Sequence, residues 1–300
     1  MRRKIIFVVL GCILIAAASL YTNKYPQKNE GVIDKEVLTS GSNLICKYYD
    51  EKAFMASVKQ AENTETGKLK IAGGIAPHHL LANNLIAKFF KSISTSSQKV
   101  VILLGPNHNR FGREKIHTGD WNWQTPFGIL ETEKDIVSRI VQKTGSGKDM
   151  KLLEDEHSMA ALMPYIKYYL PEARVVPLVL HGNLGLEESK ALADTILECI
   201  GDKDYIIIGS VDFSHYLPPD ETEAMDLVTI KAIEKRDLLA ISHMGNDNLD
   251  SPPTIITVLE MMNKVNANGF KVLDHSNSSK MSGTYSRSNT SYYTLLFYEE

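Results

Sequence analysis

Apolar and polar positions alternate in blocks along most of the chain, and the period of the pattern switches from block to block. Residues 100–104 are five apolar side chains in a row, the look of a strand buried on both faces. Residues 71–76, 174–180 and 205–210 also read as strands. Between them apolar residues recur three and four apart, as a helix with one buried face requires. Leu81, Leu85, Ile86, Phe89, Phe90 and Ile93 trace such a face over residues 80–93. Further helices are predicted over 44–60, 135–143, 157–170 (with Pro164 kinking it or marking a first turn), 187–200, 220–234 and 252–265. Shorter strands are predicted over 128–132, 270–273 and 292–298, and residues 109–127, which hold both tryptophans, read as a functional loop. Strand–helix alternation predicts an α/β fold: a single three-layer domain with a central, largely parallel sheet flanked by helices.

The chain's first residues lie outside this pattern. Met1-Arg-Arg-Lys4 is followed by an uncharged run from Ile5 to Leu20, the layout of a secretory signal or short membrane anchor. The domain plan is therefore 1–21 signal peptide or N-terminal membrane anchor, 22–66 tether and leading helix, and 67–300 metal-binding domain. This plan places the body outside the cytoplasm, secreted or held at the membrane by its N-terminal segment. Composition adds exclusions. A net charge of -3 with no basic stripe argues against nucleic acid. Three scattered cysteines, Cys12, Cys46 and Cys199, make neither a zinc ribbon nor a disulfide scaffold.

The candidate chemistry gathers where strands end. Residues 71–76 run into Pro77-His78-His79, residues 100–104 into Gly105-Pro-Asn-His108, and residues 205–210 into Val211-Asp212-Phe-Ser-His215. In open α/β sheets that rim is where ligands bind. His78, set by the rigid Pro77, and His108 are the candidate metal histidines. Asp250, just before a Pro-initiated helix, is either an N-cap or the third ligand. Two histidines and one carboxylate would leave open coordination positions, the usual face for non-haem Fe(II). Zinc on the same ligands would activate water for hydrolysis. Asp212 and His215 suit acid–base work, with the acid orienting the ring. Ser214 lacks a nucleophile elbow, against a serine hydrolase. In Asp155-Glu-His-Ser158, Asp155 reads as a helix cap. Glu156 and His157 stay open between capping and support of the site, and both join the candidate catalytic set. His117, His181, His243 and His275 read as surface or structural residues.

Together these stretches resemble the Memo family, whose prokaryotic branch is called AmmeMemoRadiSam system protein B. The matching segments are Ala76-Pro-His-His79, Leu104-Gly-Pro-Asn-His108, Asp155-Glu-His-Ser158 through Pro164, and Gly209-Ser-Val-Asp-Phe-Ser-His215, with a Ser-Tyr-Tyr-Thr-Leu strand near the end. The resemblance spans roughly residues 71–297. It implies a fold related to class III extradiol dioxygenases, which hold non-haem iron in two histidines and a glutamate. It places His78 and His108 on the histidine ligands and His215 on the acid–base histidine, and it implies a divalent metal, iron ahead of zinc or copper. The family's ligand set has a cysteine for which this chain offers only Asp250. Its Pro-His-Ala-Gly-Tyr is here Pro-His-His-Leu-Leu, and Asn109 stands where a second histidine is common. Three functions follow: a redox or oxygen-using enzyme, a metal-dependent hydrolase, or a non-catalytic membrane-tethered module with a degenerate site. The expected ligand is a small molecule or peptide.

Overall fold

The computed structural model describes residues 43–64, 69–95 and 100–300. The leader expected over 1–21, and the tether up to residue 42, lie outside the described residues. The strands are β1 Leu44–Ile45, β2 Lys70–Ala76, β3 Val100–Pro106, β4 Ile116–Thr118, β5 Trp123–Thr125, β6 Gly128–Leu130, β7 Gly147–Lys148, β8 Arg174–Leu180, β9 Tyr205–Ser210, β10 His215–Leu217, β11 Gly269–Asn277 and β12 Asn289–Glu299. The helices are α1 Glu51–Ala61, α2 Asn83–Ile93, α3 Lys134–Thr144, α4 Met150–Asp155, α5 His157–Ala160, α6 Met163–Tyr169, α7 Leu186–Ile200, α8 Pro219–Glu234, α9 Leu238–Ser242, α10 Pro252–Lys264 and α11 Ser278–Ser282.

The apolar runs form the parallel middle of a nine-stranded sheet ordered β10-β12-β2-β9-β3-β8-β4-β7, with β11 also paired to β12. β3 lies between β9 and β8, and β2 joins the other side of β9, all parallel. Antiparallel strands flank this middle, β12 against β2 and β4 against β8. Alternate residues of a strand face opposite sides of its sheet. Val100, Ile102 and Leu104 enter one core with Ile140 of α3, Leu192 of α7 and Ile256 of α10. Val101 and Leu103 enter another with Phe54 of α1, Phe89 of α2 and Ile166 of α6. Two cores on two faces give the three layers, and each fully buried Leu or Ile contributes about 1.5–3 kcal/mol.

Parallel register also levels the strand ends. Ala76 lies opposite Ser210, and Leu104 opposite Gly209. Residues 77–79, 107–108 and 211–215 therefore leave the sheet at one rim. Gly105 lets α5 close onto β3, because a Cβ there would meet Met159 Cε at 2.6 Å and Ser158 Oγ at 2.9 Å.

Several elements differ from expectation. Residues 44–60 are a two-residue strand and a helix that begins at Glu51, where Asp50 accepts the Ala53 N–H as N-cap. Loop 109–127 contains β4 and β5, short strands that single-sequence periodicity does not resolve. Residues 157–170 are two helices rather than one, and of the two expectations for Pro164 the first-turn one holds, since it lies in the first turn of the second helix. β3 continues through Gly105-Pro106, since Pro106 still pairs in register with Leu180. Among the described residues, no helix is long and apolar enough to cross a membrane.

Candidate metal centre

His78 follows Pro77 directly off β2 and is 1% exposed. Its backbone N–H donates to Asp212 Oδ1 at 3.1 Å, and its Nδ1 lies 3.1 Å from Ser210 Oγ. The Ser210 hydroxyl proton is already committed to Ser158 O at 2.6 Å. Ser210 can therefore only accept from the ring, so Nδ1 carries a hydrogen and Nε2 is the nitrogen left to face the carboxylates. His108 reaches the same state by another route. Its Nδ1 lies 2.8 Å from Glu156 Oε1, and a carboxylate only accepts. The His108 backbone N–H donates to Glu156 Oε2 at 2.9 Å.

The two Nε2 atoms face one carboxylate. Asp250 Oδ2 lies 3.2 Å from His78 Nε2 and 3.5 Å from His108 Nε2. Asp250 Oδ1 is buried with no hydrogen-bond partner. Asp250 does not cap α10, because Ser251 holds that position and accepts the Thr254 N–H. Its backbone N–H donates to Asp212 O at 3.1 Å, which ties it to the end of β9. Among the described residues, two donor sets have ligand atoms within 4.8 Å of one another: His78, His108 and His157, and His78, Asp212 and Asp250. His78 belongs to both. The His78, His108 and Asp250 trio is joined instead through the shared Asp250 oxygen.

The electrostatics follow from this crowding. Burial opposes charge on His108, yet hydrogen bonds to Asp250 and Glu156 carry its pKa up to about 10. For His78 burial is likewise outweighed, by the charges of Asp212 and Asp250, and the pKa rises. Asp250 is held well below the usual carboxylate range, because His78 and His108 overcome its burial. Glu156, also buried, is lowered mainly by its bond to His108. A field that draws protons onto these ring nitrogens also draws a metal cation. Two imidazoles anchored through Nδ1, a shared carboxylate and an unpartnered carboxylate oxygen fit a divalent ion, which would take the place of the protons on Nε2, and Ser210 and Glu156 are the outer partners such histidines require.

The remaining candidates fall around this centre. Glu156 is both N-cap of α5, accepting the Ser158 N–H at 3.0 Å, and the anchor of His108. The His157 ring stacks on His108 with centroids 4.1 Å apart. Burial and the neighbouring His78 and His108 hold its pKa down to about 4. Asp155 is corrected: it ends α4 and pairs with Lys47 and Lys151 instead of capping. His215 opens β10 and is corrected in one respect, since among the described residues no hydrogen bond joins it to Asp212. The Asp212 carboxylate is engaged by the His78 N–H, while His215 Nδ1 is buried without a partner. Residues three apart on extended chain face opposite sides. His117 is 1% exposed and structural, and His275 pairs with Asp226.

Sequence reasoning missed Ser210, whose signal was a hydroxyl at the last position of β9, inside a motif already singled out. Neither Cys46 nor Cys199 belongs to either donor set. Burial, with Glu154 beside it, pushes Cys46 up to about 12, and burial raises Cys199. Thiolates, not thiols, react. Alkylation at pH 8 is therefore expected to leave Cys46 unmodified in the folded chain and to modify it in denaturant. Ready labelling of the folded chain would contradict this environment.

An α/β sheet whose rim gathers histidines and carboxylates defines a protein with a candidate His/Asp metal-binding group. The family model for Memo-like protein matches residues 47–296, and the chain belongs to the Memo family. A MEMO1 family protein of Caldivirga maquilingensis is 26% identical over 250 residues, 80% of this chain and 88% of its own. One from Aquifex aeolicus is 25% identical over 261 residues, 85% of this chain and 91% of its own. The crystal structure of uncharacterized protein JW3007 from Escherichia coli K12 covers 74% of this chain and 99% of its own at 10% identity and a TM-score of 0.49, too distant a likeness to support any inference.

Proposed function

We propose that this chain is a metal-dependent, oxygen-using enzyme with one non-haem metal, iron ahead of zinc or copper, held by His78, His108 and Asp250. The carrying observation is that both imidazoles are anchored through Nδ1–H with Nε2 facing Asp250 Oδ2 at 3.2 and 3.5 Å. A metal held there by His78, His108 and Asp250 would supply open coordination positions for substrate and dioxygen. The chain's own residues do the rest. Glu156 and Ser210 hold the two rings, His157 shields one face of His108, and Asp212 fixes the His78 backbone. His215, whose buried Nδ1 has no partner, is the proton-moving residue in this reading. The ligand is a small molecule or peptide. The charged start and apolar run of residues 1–21 carry the domain out of the cytoplasm or hold it at a membrane.

A second reading, zinc hydrolysis, draws on the three-imidazole set His78, His108 and His157, since nitrogen-rich sites suit zinc. An oxygen electrode separates the two. The iron-loaded full chain is expected to consume O2 with at least one catechol-type diol and the zinc-loaded chain to consume none. No uptake by the iron-loaded chain across the diols would overturn the oxygen-using reading.

A further inference from the structure

Helix α8 buries an unusual face. A helix packed on a core ordinarily buries an apolar stripe, but three of the residues α8 buries are Thr222, Asp226 and Thr229. They are spaced four and three apart, so they share one side of the helix. Their exposures are 0%, 1% and 0%.

Each grips a different stretch of the rim. Thr222 Oγ1 donates to Leu217 O at 3.3 Å, at the end of the strand that His215 opens. Asp226 Oδ1 accepts from Ser214 Oγ at 2.6 Å and from Ser291 Oγ at 2.7 Å. Its Oδ2 accepts from His275 Nε2 at 3.0 Å. Thr229 Oγ1 accepts from Asn248 Nδ2 at 3.0 Å while donating to Met225 O at 3.0 Å. Ser214 lies between Asp212 and His215, and Asn248 lies two residues before Asp250. The two stretches are also joined to each other, by the Phe213–Leu249 bridge and the Asp250 N–H to Asp212 O bond. Ser291 exchanges backbone bonds with Phe213 and Ser214, so Asp226 clamps a strand pair from the side.

Stability alone does not account for this stripe. Well-packed apolar residues of the same shape generally serve a core as well as buried hydroxyls or carboxylates do. Hydrogen bonds add direction, because they fix where the partner sits. We propose that Thr222, Asp226 and Thr229 are positioning residues that hold residues 212–215 and 248–250 in the arrangement the metal centre needs. The proposal rests on the metal-centre reading.

Cobalt(II) titration of the full chain tests it, because the visible bands of cobalt report ligand arrangement independently of global stability. Wild type is expected to bind one Co(II). Thr229→Val and Asp226→Leu, with native circular dichroism, are expected to bind it about 10-fold more weakly and with shifted bands. Asp226→Asn, which keeps an acceptor for the serines, is expected to restore both. Wild-type affinity and bands in Thr229→Val and Asp226→Leu would overturn the clamp, whatever happens to their melting temperatures. If Asp226→Leu does not fold, the same comparison rests on Thr229→Val, and wild-type behaviour there overturns the clamp. A wild type that binds no cobalt would overturn the metal-centre reading and the clamp with it.

Discussion

Asp250→Ala is expected to reduce bound metal from near one per chain to a small fraction, a loss beyond the roughly 10–100-fold that changes in outer partners cost. Among the described residues, Asp250 alone supplies a carboxylate oxygen that faces both His78 Nε2 and His108 Nε2, at 3.2 and 3.5 Å. Without it the two imidazoles lose the shared negative charge that would offset a dication. Asp250→Cys is expected to recover metal with a changed preference, because a thiolate selects softer ions and zinc over iron. Metal analysis of the three proteins after growth in mixed trace metals checks both outcomes. Full iron occupancy in Asp250→Ala would remove Asp250 from the ligand set and move attention to His157.

Glu156→Ala is expected to have the largest effect on stability. The buried carboxylate accepts three N–H bonds, from the His108 backbone, His108 Nδ1 and Ser158. Its removal leaves those donors without partners and takes the counter-charge from His108. Breaking a buried charge pair costs about 3–5 kcal/mol. Metal affinity should fall by about 10–100-fold as well, since the His108 ring loses its orienting partner. Glu156→Gln keeps the shape and one acceptor, and should fall between wild type and Glu156→Ala on both scales. Urea unfolding of the metal-free chain, with metal titration alongside, reads the two effects separately. A Glu156→Ala chain as stable as wild type would mean that His108 does not depend on this carboxylate.

Much of this architecture was legible along the chain, for local reasons. The runs at 71–76, 100–104, 174–180 and 205–210 are doubly buried strands, and burial on both faces erases the alternation that an exposed strand would show. The rim followed from them, because parallel strands with helical crossovers end level. His78 and His108 were visible as histidines within two residues of those ends. Long-range contacts were not visible. Nothing local says that Glu156 reaches back 48 residues to His108, or that Ser210 fixes His78 across 132 residues. The Asp212–His215 pairing was inferred from spacing and failed, because extended chain turns residues three apart to opposite sides. The polar stripe of α8 was present at a readable spacing, but without the fold it resembles a solvated face.

The most direct test is elemental analysis of the full chain purified without oxygen and without chelator, beside His78→Ala and His108→Ala. The account predicts close to one iron per wild-type chain, lost in both variants while their circular dichroism stays native. Metal at full occupancy in either histidine variant, or none in the wild type, would contradict it.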